Sequence, residues 1–222
     1  MKNLMMQHYN GTMKELELKS MANIQAYAKL IGAEYKLIEG KPFDENLANE
    51  TQKVHMIHEE FDEWDNICMV DIDKFTPVGM TDNVFDWSGI GLYEPIQQGL
   101  HRTLARRFPH LCSVESPYWG GAIYKMSRKV RQALRVGLDS NRNWTYSHPF
   151  VDEGVMSTLA FRAGFKTNAP GMIIDKRWCQ CSYLPNPQNA KFIHIRTKIT
   201  PQGPKRTKLE NYKELVERGI IE

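Results

Sequence analysis

Two carboxylates one residue apart, Asp71 and Asp73, close the apolar run Ile67-Cys68-Met69-Val70. Four consecutive apolar residues without alternation are the pattern of a strand buried on both faces, so the acidic pair is expected where a core strand ends. In open α/β sheets, ligands gather at the carboxyl ends of strands. Hard oxygen donors suit Mg²⁺ or Mn²⁺, and such an ion commonly bridges a protein to substrate phosphates. A solvated turn would carry the same two residues, so the spacing takes its meaning from what surrounds it.

The elements that must position this pair read as an alternation of strands and helices. Leu4, Met5 and Met6, ending at His8 and Tyr9, form a short buried strand, and Asn10-Gly11 turns the chain. Thr12 and Glu15 have capping-box spacing, and apolar residues then recur helically as far as Gly32, a C-terminal cap. A strand over 34–38, a helix over 53–61 and the strand over 67–70 complete a β-α-β-α-β order, which favours a right-handed α/β sheet. Residues 76–99, rich in Gly, Pro, Trp and Asp, read as a functional loop region. Helices follow over 97–108, 127–136 and 152–163, with strands inside 116–126 and over 169–174 and 191–195. From residue 200 the composition shifts to Pro, Gly and Lys before a last amphipathic stretch over 209–220.

With 222 residues, 41% of them hydrophobic, the chain can build one sizeable core. A net charge of +3 suits a small anionic ligand and argues against nucleic acid. Cys68, Cys112, Cys179 and Cys181 include no C-x-x-C pair, so they read as free thiols of a reducing compartment. No stretch approaches the ~20 apolar residues of a spanning helix, and the first residues are too weakly apolar for a signal peptide. The chain is expected to be soluble and cytoplasmic, as a whole protein or as a domain excised from a larger one.

Four motifs in order give this sequence a resemblance to a known group. Thr51-Gln52-Lys53, a helix, and Trp64 to Asp73 resemble the segment leading into the D-x-D of glycogenin-like transferases in glycosyltransferase family eight. Pro117-Tyr118-Trp119-Gly120-Gly121-Ala122-Ile123 is similar to their small-residue loop beside the donor sugar. Val151-Asp152-Glu153-Gly154 is similar to the acidic pair opening a helix at the reaction centre, and Phe192-Ile193-His194 to the late strand that delivers a histidine ligand. The match departs after His194, where Arg196 and Lys198 stand in place of the family's glycine and lysine spacing, and at Glu153, commonly glutamine.

The resemblance implies a GT-A type fold: one domain with a Rossmann-like, mixed but mostly parallel sheet flanked by helices, over 1–200, with 201–222 as a tail whose helix packs on it. It implies a hexosyltransferase that takes a nucleoside-diphosphate sugar, UDP-linked, to a sugar or other hydroxyl acceptor. Asp71, Asp73 and His194 would hold the metal, and the imidazole leans the choice toward Mn²⁺ over Mg²⁺. Lys53 and either Arg196 or Lys198 would meet the diphosphate or the sugar hydroxyls, with Asp71, Trp119, Gly120 and Gly121 beside the donor. Tyr9 would stack on the base, unless it is a core tyrosine at a strand end. Asp152 and Glu153 would contact the sugar or act as general base, unless they only satisfy first-turn amides. Trp87 and Trp119 would line the acceptor cleft. His55 and His58 read as structural or surface residues. A non-catalytic sugar-nucleotide module is the rival reading; a D-x-D phosphatase is disfavoured because Phe75 stands where Thr or Val is needed.

Overall fold

The computed structural model describes residues 1–93, 119–139, 151–165, 173–183, 187–197 and 206–222, with residues 99, 102, 103, 106 and 109. In chain order its strands are β1 (Asn3–Tyr9), β2 (Glu34–Glu39), β3 (Asn66–Val70), β4 (Lys74–Phe75), β5 (Gly91–Tyr93), β6 (Trp119–Ser127), β7 (Gln180–Cys181) and β8 (Ile193–His194). The helices are α1 (Glu15–Leu30), α2 (Arg128–Asp139), α3 (Val151–Arg162) and α4 (Lys208–Glu217). Five strands form one mixed sheet in the order β2-β1-β3-β6-β5, and β4-β8-β7 form a second, smaller one. In the large sheet the parallel ladders lie within β2-β1-β3, whereas β6 runs antiparallel to both β3 and β5; in the small one β7 is parallel and β4 antiparallel to β8.

Side-chain alternation explains why β3 holds the centre. Ile67 and Met69 enter one core with Leu4 and Met6 of β1 and with Leu134, Val155 and Leu159 of α2 and α3. Cys68 and Val70 enter the other, with Met5 and with Ile24, Tyr27 and Ala28 of α1. Burial of each such apolar side chain contributes roughly 1.5–3 kcal/mol, so the strand is anchored from both faces up to the residue before Asp71. The two-sided burial expected of this run is what the fold shows.

Register then brings distant segments to one edge. Met6 pairs with Met69, so the chain leaving β1 at Tyr9 lies beside the chain leaving β3 at Val70. Because β6 is antiparallel, its amino end arrives there too: Val70 pairs with Ile123, and the Asp71 N–H donates to Ala122 O at 3.3 Å. In the small sheet Lys74 pairs with His194, and the Ile195 N–H donates to Asp73 O at 2.9 Å.

Several local expectations change. The segment before β3 is a 3₁₀ helix over Asn49–Ile57, then a second 3₁₀ turn over Glu59–Phe61, with His58 extended between them. Burial on nearly every side of the first segment, and the Gln52 side chain bonded to the backbone of Phe43 and Asp44, replace the one-sided α-helix. Helix α1 starts at Glu15, with Glu17 accepting the Lys14 N–H at 3.0 Å, so Thr12 is not its cap. Its end is as expected: Gly32 has φ +69°, and Ala33 N–H reaches Ala28 O at 2.9 Å in a Schellman turn. The helix expected over 97–108 and the strand over 169–174 fall largely outside the described residues.

Candidate active site

The three residues proposed as metal ligands come together. His194 Nε2 lies 3.0 Å from Asp73 Oδ1 and 3.6 Å from Asp71 Oδ2, and one ligand atom from each residue lies within 4.8 Å of the others. An octahedral ion with bonds of about 2.1 Å sets neighbouring ligands about 3.0 Å apart, which this spacing approaches. Asp73 Oδ1 is buried, with the imidazole nitrogen 3.0 Å away. Two carboxylates and an imidazole brought this close are donors of the types that Mn²⁺ and Mg²⁺ accept. The donor set therefore fits Mn²⁺ or Mg²⁺.

Supporting contacts fix each ligand. Behind His194, its Nδ1 faces Cys179 Sγ at 3.9 Å, and that sulfur accepts from Lys74 Nζ at 2.6 Å. Asp71 is braced through its backbone: Gln7, fully buried, donates from Nε2 to Asp71 O at 3.1 Å and to Ser20 Oγ at 3.1 Å, while Ser20 donates to Lys74 O at 2.7 Å. Tyr35 OH closes the network on Gln7 Oε1 at 2.9 Å. Burial would raise the pKa of Asp73, but His194 and Lys208 outweigh it and hold the carboxyl well below the usual range. For Asp71, burial is likewise outweighed, by Lys53 and His194, despite the neighbouring Asp73 charge.

Lys53 is the hub of a second cluster. Its Nζ meets Asp71 Oδ1 at 2.9 Å, Gly121 O at 2.8 Å and Asp152 Oδ2 at 3.3 Å. Burial acts to lower its pKa, yet Asp71 and Asp152 raise it, so the ammonium stays charged. Asp152 is 2% exposed, and burial raises its pKa against the pull of Lys53. Glu153 Oε1 accepts the Gly121 N–H at 2.6 Å. A Cβ on Gly121 would stand 2.7 Å from Asp152 Oδ2 and 2.8 Å from Glu153 Cγ, so only glycine lets α3 approach β6 this closely.

The acidic pair expected at the reaction centre is held within the protein, Asp152 on Lys53 and Glu153 on Gly121. Trp119, expected beside the donor, is fully buried: its ring fills the space over Gly91, and its backbone N–H donates to Ser157 Oγ at 3.0 Å. Gly120 follows it into the sheet as a buried residue of β6. Trp87 packs edge-on against Trp178, with the Arg177 guanidinium 5.2 Å from its ring.

A cleft of about 260 Å³ opens on the other side of the carboxylates, lined by His8, Tyr9, Asn10, Lys53, Asp71 and Asp73 among others. Tyr9 lines it while its OH donates to Thr12 O at 3.2 Å. Arg196 is exposed; against burial, Cys181, Asp73 and Asp71 raise its pKa, which ties it to the site's charge balance. Lys198 lies outside the described residues.

Sequence reasoning missed two members. Lys208, the first residue of α4, lines the cleft and donates from Nζ to Asp73 Oδ2. A cation in the first turn of a helix opposes the helix dipole, and that misplacement was the one available signal. Gln7 left no signal, because one polar residue in an apolar strand looks like edge alternation.

No family model matches the sequence, and no protein of curated function matches it. Solved structures do. A glycosyltransferase involved in the glycosylation of the major capsid of PBCV-1 is similar over 97% of this chain and 99% of that one, with TM-score 0.58 and 12% identity. The bifunctional glycosyltransferase WbbM is similar over 96% of this chain and 51% of its own, with TM-score 0.52 and 9% identity. At such identities the likeness is one of fold, and the fold is the GT-A type of glycosyltransferases: a mixed sheet flanked by helices in a single domain.

Proposed function

We propose that this chain is a metal-dependent glycosyltransferase that moves a hexose from a nucleoside-diphosphate sugar, UDP-linked, to a hydroxyl of a sugar or other acceptor. The observation that carries the reading is the convergence of Asp71, Asp73 and His194 at the carboxyl end of β3, with Lys53 and Lys208 beside them. Asp71, Asp73 and His194 would hold Mn²⁺ or Mg²⁺, which when bound supplies Lewis-acid neutralisation of the departing diphosphate. Lys208, released from Asp73, adds positive charge to the same leaving group, and Arg196 and Lys198 stand in the sequence where further contacts are sought. Tyr9 and Asn10 form the wall that receives the nucleoside. Lys53 works indirectly: held by Asp152, it orients Asp71 and the Gly121 carbonyl, while Glu153 fixes the Gly120-Gly121 backbone against which the donor sugar lies.

The test is release of nucleoside diphosphate from a panel of UDP- and GDP-sugars, with Mn²⁺, with Mg²⁺ and with chelator. Cleavage or transfer with one nucleotide class in Mn²⁺, abolished by chelator and reduced at least about a hundredfold by Asp73→Asn, is expected. Binding without turnover for every donor and acceptor tried would establish the rival, a sugar-nucleotide module.

A further inference from the structure

We infer that His55, His58 and Glu60 form a second metal site, for a borderline first-row ion such as Zn²⁺, apart from the Asp71 cluster. The local backbone brings the three together. In a 3₁₀ helix, side chains three residues apart eclipse one another. The turn that closes with the His58 N–H on His55 O, at 2.9 Å, accordingly stacks the two imidazoles with centroids 5.0 Å apart at 21°. The following 3₁₀ turn folds Glu60 back over them, with Oε1 3.0 Å from His55 Nε2 and Oε2 4.0 Å from His58 Nδ1. One ligand atom from each residue lies within 4.8 Å of the others. Tetrahedral coordination with bonds of about 2.0–2.1 Å separates neighbouring ligands by about 3.3 Å. The two carboxylate contacts, 3.0 and 4.0 Å, lie on either side of that value, and side-chain adjustment draws the three donors onto one ion.

Donor chemistry and burial decide which ion and how it enters. Two imidazole nitrogens with one carboxylate select Zn²⁺ over Mg²⁺ or Ca²⁺, and a three-ligand set leaves a position for water. His55 is 8% exposed and packs edge-on against Phe61 at 5.5 Å, so its ring is held in place. His58 and Glu60 are exposed and can take an ion from solvent. Coordination displaces two hydrogen bonds, His55 Nε2 with Glu60 Oε1 at 3.0 Å and the Glu60 N–H on His58 Nδ1 at 3.3 Å, and replaces both with bonds to the ion. Since His55 is two residues from Lys53 on one 3₁₀ segment, an ion here braces the segment that delivers Lys53 to the active site.

Zinc uptake by the full chain carrying Asp73→Asn and His194→Asn, measured by competition with a chromophoric chelator, tests the site free of the first cluster. One Zn²⁺ per chain is expected. Adding His58→Asn or Glu60→Gln, both at exposed positions, should weaken zinc by at least about tenfold, the scale set by losing even an outer-shell partner. Folding of each variant is checked by circular dichroism. Absence of zinc uptake in the double variant, or uptake unchanged by both further substitutions, overturns the proposal.

Discussion

Gln7 takes no part in any proposed chemistry, yet three groups of the site depend on it. Its amide joins buried Ser20 and the half-buried Tyr35 and Asp71 carbonyl in one network. A buried polar group left without its partner costs about 1–3 kcal/mol. Gln7→Leu strips partners from all three at once, and a loss of roughly 2–3 kcal/mol in urea unfolding is expected, with weaker metal binding because the Asp71 turn loses its brace. Unchanged stability would show that the network is incidental. At this scale the sequence was legible where a residue's type is rare for its surroundings: Asp71 and Asp73 after an apolar run, and His194 in another. Lys53 was singled out but its ion pairs were not, since spacing along the chain does not reveal that Asp152 lies 3.3 Å away. The burial of Trp119 was not legible, because a large aromatic ring fits a core and a sugar cleft equally well.

Helix α4 shows how an element can carry more than its own packing. Tyr212 and Leu215 enter a small core with Leu16, Phe75, Ile193 and Ile195, and the Phe75 and Tyr212 rings lie 5.0 Å apart. The same β4–β8 pair that α4 covers carries the Asp73 and His194 ends of the site. Thr207 and Glu210 form a reciprocal capping box, which fixes the helix start and so the position of Lys208. Lys208→Gln leaves the cap and the apolar face intact. Nucleoside-diphosphate affinity is expected to fall by about fivefold, the order of one exposed charge contact, with the melting temperature little changed. Equal affinity in calorimetry would remove Lys208 from the donor site. The amphipathic pattern of α4 was legible; the role of its cation was not, because a lysine opposing the helix dipole is only a faint signal until its neighbours are known. The helix expected over 53–61 failed for a related reason. Apolar spacing shows that a segment is buried but not on how many sides, and burial all round suits the 3₁₀ geometry of Asn49–Ile57.

For the whole molecule, the β-α-β start, the two-faced burial of β3 and the helical layers followed from periodicity. The antiparallel insertion of β6 did not, because strand direction depends on contacts far apart in sequence. That reversal is what brings Gly121 and the opening of α3 to the edge where β1 and β3 end. Among the described residues no helix is long and apolar enough to cross a membrane. The most direct measurement of the central claim is calorimetric titration of UDP and GDP into the metal-free chain, with and without Mn²⁺, for the wild type and for Asp73→Asn. If Asp71, Asp73 and His194 hold an ion against a diphosphate, Mn²⁺ will tighten one nucleotide at least about tenfold in the wild type and leave Asp73→Asn unaffected. Nucleotide affinity that is the same with and without Mn²⁺ in the wild type would contradict the account.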